Sequence, residues 1–413
     1  MANSDDVIVV GGGVIGLFSA YYLQRAGRSV RLLEAVKVGA GASTGNCGLI
    51  SPSHAPPLTQ PAVLFKSLRW MMQPSSPFYI HPRTGLREWT WFLRFAVQSL
   101  TPARRQAELA RAALLQRSRR LYGELVGGDL ASVEWEPRGA LFVFKDPRGF
   151  AAGESTAKAL RDSGIRVDSL STEAAVAMEP TLREDIAGAY FYPDDAHLRP
   201  ERLLDALRAA VLAAGGVIEE GRGVRAVEDR GSHVAITMTD GETLSADQAL
   251  IATGALTSRL LTAARCSKRI LPGKGYSITM PRPEVCPQIP LAFQETKTVI
   301  TPFASGYRIG STMEFRGFDD SLNAVRLDAL RRGIVPYIRP PLPPEGGHSW
   351  CGWRPMTHDG VPIISALRDS PRIVLAAGHN MLGVSMAPAT GELAAALITK
   401  GESPLDPAPY RAN

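Results

Sequence analysis

The apolar positions open the chain as a short strand, a helix and a second strand. Val7, Ile8, Val9 and Val10 form a continuous β-branched run that stops at Gly11, and Leu17, Tyr21 and Leu23 then recur at helical spacing from about Val14. Gly27 stands where a helix C-cap belongs, and residues 29–33 supply the second strand. Parallel strands joined in this way require a right-handed crossover. The pattern therefore predicts the first βαβ unit of a doubly wound, Rossmann-type α/β sheet.

Further along, the pattern changes character. Residues 56–122 read as helical and aromatic, with Trp70, Phe78, Tyr79, Trp89, Trp91, Phe92 and Phe95. Residues 139–144 alternate as a strand does, closed by the turn residues Asp146, Pro147, Arg148 and Gly149, and this section predicts a second domain inserted into the first. An amphipathic helix over 201–214 ends at Gly215 and Gly216. Strands follow at 217–219, 224–229 and 234–238, then a hairpin turn at Asp240-Gly241 and a buried strand at 249–254. Residues 268–344 alternate strands with proline-rich turns, and a strand at 372–376 precedes a closing helix that ends near Lys400.

Composition narrows the classes. At 413 residues and 45% hydrophobic content, the chain can bury a core of two-domain size. The net charge of +6 favours anionic partners but is too diffuse to indicate nucleic acid. Cys47, Cys266, Cys286 and Cys351 form no CxxC pair and no metal-ligand spacing with His, so they read as reduced thiols of a cytoplasmic protein, and no metal is expected. No signal peptide is expected ahead of the first strand, and no apolar run is long enough to span a membrane.

Between the first strand and helix stands Gly11-x-Gly13-x-x-Gly16. The first glycine permits the tight turn, the second lets backbone approach a pyrophosphate, and the third lets helix and strand pack closely. The pyrophosphate then sits at a helix N-terminus. Glu34 ends the second strand, where a carboxylate accepts the adenosine ribose hydroxyls. Strand, turn, helix, strand and acid together predict dinucleotide binding; alone, they leave FAD and NAD open.

The next segment separates the two cofactors by resemblance. Residues 39–50, which include Gly41, Ala42, Ser43, Asn46, Cys47, Gly48 and Leu49, resemble the flavin-facing loop of the D-amino acid dehydrogenase and D-amino acid oxidase family of FAD-dependent oxidoreductases. Ala252-Thr253-Gly254 is similar to the family's second dinucleotide-contacting strand, residues 352–360 to its carboxylate-binding loop, and residues 378–383 to the turn that opens its closing helix. The run Gly273-Lys274-Gly275-Tyr276-Ser277 resembles a strand of the small D-amino acid dehydrogenases in particular. Cys47 departs from the family pattern, which has alanine there, a change expected to affect packing only.

The resemblance implies a doubly wound FAD-binding domain, discontinuous over 1–60, 150–265 and 346–413. A substrate-binding domain over 61–149 and 266–345 would then be built on a mixed β-sheet with helices. To FAD it assigns Gly11, Gly13, Val14, Ile15, Gly16, Glu34, Ala35, the flavin-loop residues named above, Val224, Thr253, Gly254, Gly352, Gly378, Met381, Leu382 and Gly383. Noncovalent FAD is expected, because Cys351 falls one residue away from the cysteine that related sarcosine oxidases use for attachment.

Oxidising an amino acid at its α-carbon requires the C–H bond held over flavin N5 with the amine neutral, which makes the carboxylate the natural handle. A planar guanidinium matches a carboxylate with two parallel charge-assisted bonds, and the resemblance implies Arg354 for this role, because it occupies the family's Gly-x-Arg-Pro position. Tyr276 is the candidate second donor to the same carboxylate, and His54 a candidate neighbour of the flavin or the substrate amine; for each, a purely structural role is the competing reading. His379 is expected to shape its turn. The N–H groups of Met381, Leu382 and Gly383 would stabilise negative charge on the reduced flavin.

The expected activity is oxidation of a small D-amino acid, within which D-proline or a hydroxy-D-proline is one substrate class, with electrons passed to quinone or an electron-transfer protein. The rivals are an oxidase of glycine, sarcosine or another secondary amine, and a flavin-binding subunit of a larger complex. Residues 66–120 carry Lys66, Arg69, Arg87, Arg94, Arg104, Arg105, Arg111, Arg117, Arg119 and Arg120 among tryptophans. That mix suits either a peripheral contact on the inner face of the cell membrane or a solvated helical face.

Overall fold

In the computed structural model the chain is described over residues 5–56, 76–81, 85–261, 266, 268–340 and 346–412. The β-branched opening run becomes the strand Asp5–Val10, which pairs in parallel with Val30–Leu33 on one side and Thr243–Ile251 on the other. Val217–Glu219 extends this sheet in parallel beyond Val30–Leu33, and Ser370–Ala377 joins in parallel beside Thr243–Ile251. Two antiparallel additions, Val224–Asp229 with Val234–Met238 and the strand Ile363–Leu367, complete eight strands. The helix Val14–Arg25 packs against the closing helix Gly383–Thr399 so closely that a Cβ on Gly391 would fall 2.7 Å from the backbone of Phe18.

The second sheet is mixed and has nine strands. Its order runs His348–Met356, Leu271–Met280, Gly306–Phe315, Thr298–Phe303, Leu291–Phe293, Ala140–Phe144, Gly188–Tyr192 and Asp168–Leu170, with Phe78–Ile80 paired in parallel to Gly306–Phe315. The doubly wound sheet and the mixed sheet expected from the sequence are both present. Strand pairing nonetheless cuts the chain differently from the boundaries drawn above. The strands Asp168–Leu170, Gly188–Tyr192 and His348–Met356 fall within the ranges expected for the nucleotide-binding domain, yet their backbone groups pair in the second sheet.

Asp146 is a further correction. Read as part of a turn, it is the N-cap of the helix Pro147–Asp162, its carboxylate accepting from the N–H groups of Arg148 and Gly149 with Pro147 at the first helical position. Turn and N-cap share a chemistry, since Asp before Pro serves both, and only the conformation of the downstream residues distinguishes them.

The helix Ala103–Leu125 ties the layers together. Tyr122 donates to the carbonyl of Val384 at 2.7 Å, and Arg117 pairs with Glu392 on the closing helix. Arg119 donates to the carbonyl of Asp194 and stacks over Trp135, while Arg111 is buried among backbone carbonyls. Three arginines of the basic stretch are thus committed to internal partners, while Lys66, Arg69 and Trp70 lie outside the described residues. Among the described residues, no helix is long and apolar enough to cross a membrane.

Candidate active site

The glycine turn is built by backbone crowding. Gly11 has φ +111°, and a Cβ there would lie 2.7 Å from the carbonyl oxygen of Ala252; on Gly16 it would lie 1.9 Å from that of Gly11. Any side chain at either position would push helix and strands apart. At Gly13 an added Cβ would meet only Ser43 Oγ, at 3.4 Å, which leaves the helix N-terminus approachable. Glu34 holds the turn in place, accepting from Gly12 N at 2.7 Å and from Val36 N at 3.0 Å, with lone pairs left over for hydroxyl donors.

From this turn a cavity of about 830 Å³ extends to a second cluster that contains His54, Tyr276 and Arg354. Its wall includes every residue assigned above to the dinucleotide except Gly16, Gly48 and Gly378. Those three sit behind it and act through packing: Gly48 and Gly378 have φ +72° and +81°, and a Cβ would meet Leu198 O at 2.1 Å or Thr357 Cγ2 at 2.6 Å.

The loop over residues 39–50 is held from the second sheet. Arg308, fully buried, donates to the carbonyls of Thr44 at 2.9 Å and Asn46 at 2.5 Å, to Thr279 Oγ1 at 2.8 Å and to the carboxylate of Glu201. Ser277 Oγ donates to the carbonyl of Gly45 at 2.9 Å. The indole of Trp350 presses on Gly45 and Gly352, where an added Cβ would come within 1.9 and 2.2 Å of the ring. Neither Arg308 nor Trp350 was legible as a site residue. One is a lone cation on an alternating strand, and the glycines that make room for the indole lie about 300 positions from one another.

At the far end, Arg354 Nη1 donates to the carbonyl of Thr312 at 2.7 Å, and among the described residues no carboxylate lies within 4 Å of the guanidinium. Burial lowers its pKa to about 10, which leaves it cationic at neutral pH. Gly275 on the neighbouring strand makes room for it, since a Cβ there would come within 2.5 Å of the guanidinium carbon. Next to it, Ser311 and Thr312 have φ +106° and +59°, conformations that L-residues rarely adopt, so backbone strain is concentrated at the cavity wall.

Tyr276 is buried and its phenol donates to Glu314 Oε2 at 2.6 Å, so the proton that the sequence reading aimed at a substrate carboxylate is committed elsewhere. Burial first, then Glu314, raises its pKa, and it is neutral. Burial first, with Arg111 and Lys297 adding to it, lowers the pKa of His54 to about 4, so its ring is neutral, packed edge-on to Phe142.

His379 is buried against Thr390 Oγ1 at 3.0 Å, and burial lowers its pKa to about 3. It lines the cavity beside Met381, Leu382 and Gly383, in the turn that leads into the closing helix. Cys351 also lines the cavity, its Sγ 3.2 Å from the carbonyl oxygen of Asp320. Among the described residues no group of three His, Cys, Asp or Glu side chains is placed to hold a metal ion.

The chain matches the DAO family, described as FAD dependent oxidoreductase, over residues 6–397. It is 32% identical to a D-amino acid dehydrogenase of Methylobacterium nodulans, with 96% of each chain covered. It is 28% identical to one of Vibrio cholerae, with 97% of this chain and 96% of the other covered. Among solved structures it resembles glycine oxidase from Geobacillus kaustophilus, with a TM-score of 0.80 at 24% identity over 99% of this chain and 98% of that one. It also resembles L-proline dehydrogenase from P. horikoshii, with a TM-score of 0.73 at 18% identity over 100% and 98% of the two chains.

Proposed function

This chain belongs to the DAO family of FAD-dependent oxidoreductases, and on that premise we propose that it dehydrogenates a small D-amino acid and passes the electrons to quinone or another carrier. The observation that carries the reading is Arg354, a half-buried cation without a carboxylate partner among the described residues, facing the same cavity as a dinucleotide turn. A half-buried guanidinium in that state favours an anion, and a carboxylate fits it bidentately. D-proline and hydroxy-D-proline are within the proposed class. The relatives' name supports the D-configuration.

The residues present fit FAD. Gly13 leaves the N-terminus of Val14–Arg25 open to a pyrophosphate, Glu34 keeps acceptor capacity for ribose, and Met381 to Gly383 bring a second helix N-terminus to the same cavity. When bound, FAD supplies the hydride acceptor. The chain's own part is to anchor the substrate carboxylate at Arg354, fix the α-carbon and exclude water. Because the Cys351 thiol is directed at the Asp320 carbonyl, we read the flavin as noncovalent.

The test is an anaerobic spectrum of the yellow protein mixed in turn with D-alanine, D-proline, cis-4-hydroxy-D-proline, glycine, sarcosine and the L-forms. Bleaching by D-substrates without peroxide formation in air is the expected result. Bleaching by glycine or sarcosine with peroxide would replace it with the oxidase reading, and flavin that stays bound after acid precipitation would overturn noncovalent attachment.

A further inference from the structure

The turn that carries His54 begins a buried hydrogen-bond chain that carboxylate anchoring does not use. Asp195 is fully buried, and Ser53 donates to it twice, from Oγ to Oδ2 at 2.5 Å and from N to Oδ1 at 3.1 Å. Ser53 Oγ also lies 3.3 Å from His54 Nδ1, and His54 lines the cavity that contains Arg354. Among the described residues, Asp195 has no cation within 4 Å and no side-chain donor besides Ser53. A buried carboxylate kept for stability is normally paired or fully bonded, and this one is neither.

The single hydroxyl proton of Ser53 sets the direction of the chain. With Asp195 ionised, that proton goes to Asp195, so His54 must donate from Nδ1 and its Nε2 carries the lone pair. We propose that His54, Ser53 and Asp195 form a proton relay that receives the ammonium proton of the bound substrate. The proposal rests on reading the cavity as an amino-acid oxidising site.

The step balances without a net charge on the imidazole. A substrate N–H bond breaks and Nε2–H forms; Nδ1–H breaks as a Ser53 O–H forms; the former Ser53 O–H breaks and an Asp195 O–H forms. The electron pair left on the substrate nitrogen then assists departure of hydride from the α-carbon. On product release the same three transfers run in reverse, from Asp195 to Ser53, from Ser53 to Nδ1 and from Nε2 outward, and His54 regains its first tautomer.

Surrounding groups support a neutral imidazole and a carboxylate that is ready to take a proton. Facing His54 are Arg111 and Lys297, both of which disfavour imidazolium. Arg111 also fixes the turn, donating to the carbonyls of His54 at 2.6 Å, Ala55 at 2.8 Å and Gly360 at 2.9 Å. Facing Asp195 are Asp194, which raises its pKa, Arg119 and the Ser53 donors, which lower it, and the neutral phenol of Tyr192. Burial outweighs the lowering groups and brings Asp195 to about 7.

Side-chain ¹⁵N spectra of histidine-labelled holoenzyme, with His54 assigned from His54→Gln, test the relay without any substrate. His54 should be the Nδ1–H tautomer at pH 8.5 and shift toward Nε2–H by pH 5.5. The shift should be lost in Asp195→Asn and Ser53→Ala and kept in Ser53→Thr. A single tautomer across that range in the wild type, or a shift that persists without Asp195, would overturn the proposal.

Anaerobic flavin reduction by the best amino acid supplies the second arm. The wild-type rate should rise through a limb near pH 7. In Ser53→Ala and Asp195→Asn the limb should move about two units alkaline, with a roughly 100-fold loss at pH 7 that recovers at high pH. Variants with full flavin content and an unmoved limb would sink the relay alone, whereas a wild type that no amino acid bleaches would sink the activity reading and leave the relay to the spectra.

Discussion

At the scale of single residues, burial decides what each ionisable group does. Arg354, His54 and Tyr276 all face one cavity, but of the three only Arg354 presents a free charge there. His54 is neutral by burial and the Tyr276 proton is committed to Glu314. The substrate carboxylate is therefore expected to depend on Arg354 far more than on Tyr276. Arg354→Leu should raise KM steeply and cut kcat/KM by about 100-fold or more, the loss of a charge-assisted anchor worth roughly 3 kcal/mol. Steady-state kinetics with the preferred amino acid check this, and an unchanged KM would remove the carboxylate assignment.

At the scale of elements, the helix Leu86–Leu100 has an apolar face that the core does not use. Leu86, Trp89, Leu93, Val97 and Leu100 are exposed at spacings of three and four, while Trp91, on the other side, is buried and donates to the carbonyl of Arg269. We propose that this stripe, with the exposed Arg94 beside it, is the peripheral membrane contact; the inward-turned arginines of the helix after it are not part of it. Leu93→Glu combined with Val97→Glu should abolish cosedimentation with anionic phosphatidylglycerol vesicles and leave anaerobic flavin bleaching intact. Each apolar side chain contributes about 1.5–3 kcal/mol on burial, so a loss of at least tenfold is expected. Equal sedimentation of variant and wild type would dismiss this surface.

At the scale of the whole molecule, the cavity draws its wall from both sheets, and the loop over residues 39–50 is bonded from the second sheet through Arg308 and Ser277. FAD that bridges these walls binds only the assembled form and should stabilise it by mass action. Removing FAD is expected to lower the thermal unfolding midpoint by roughly 5 °C or more. Calorimetry of holo and stripped protein would show it; coincident transitions would mean that the cofactor does not hold the two sheets together.

The features legible in the sequence obeyed local rules. Gly11, Gly16 and Glu34 were readable because a tight strand-to-helix turn admits few alternatives, and the strands 217–219, 224–229 and 234–238 because period-two patterns and turn residues bounded them. Asp146 was misread because turn and N-cap use the same residues. Beyond local rules lay the question of which distant segments meet. The strands Asp168–Leu170, Gly188–Tyr192 and His348–Met356 join the second sheet through hydrogen bonds that side-chain patterning does not specify. Arg308 reaches a loop more than 260 positions away, and Asp195 meets Ser53 across 142. The direction of the Tyr276 proton, the neutrality of His54 and the readiness of Asp195 to accept a proton are all set by burial and partner distance, which exist only once the chain is folded.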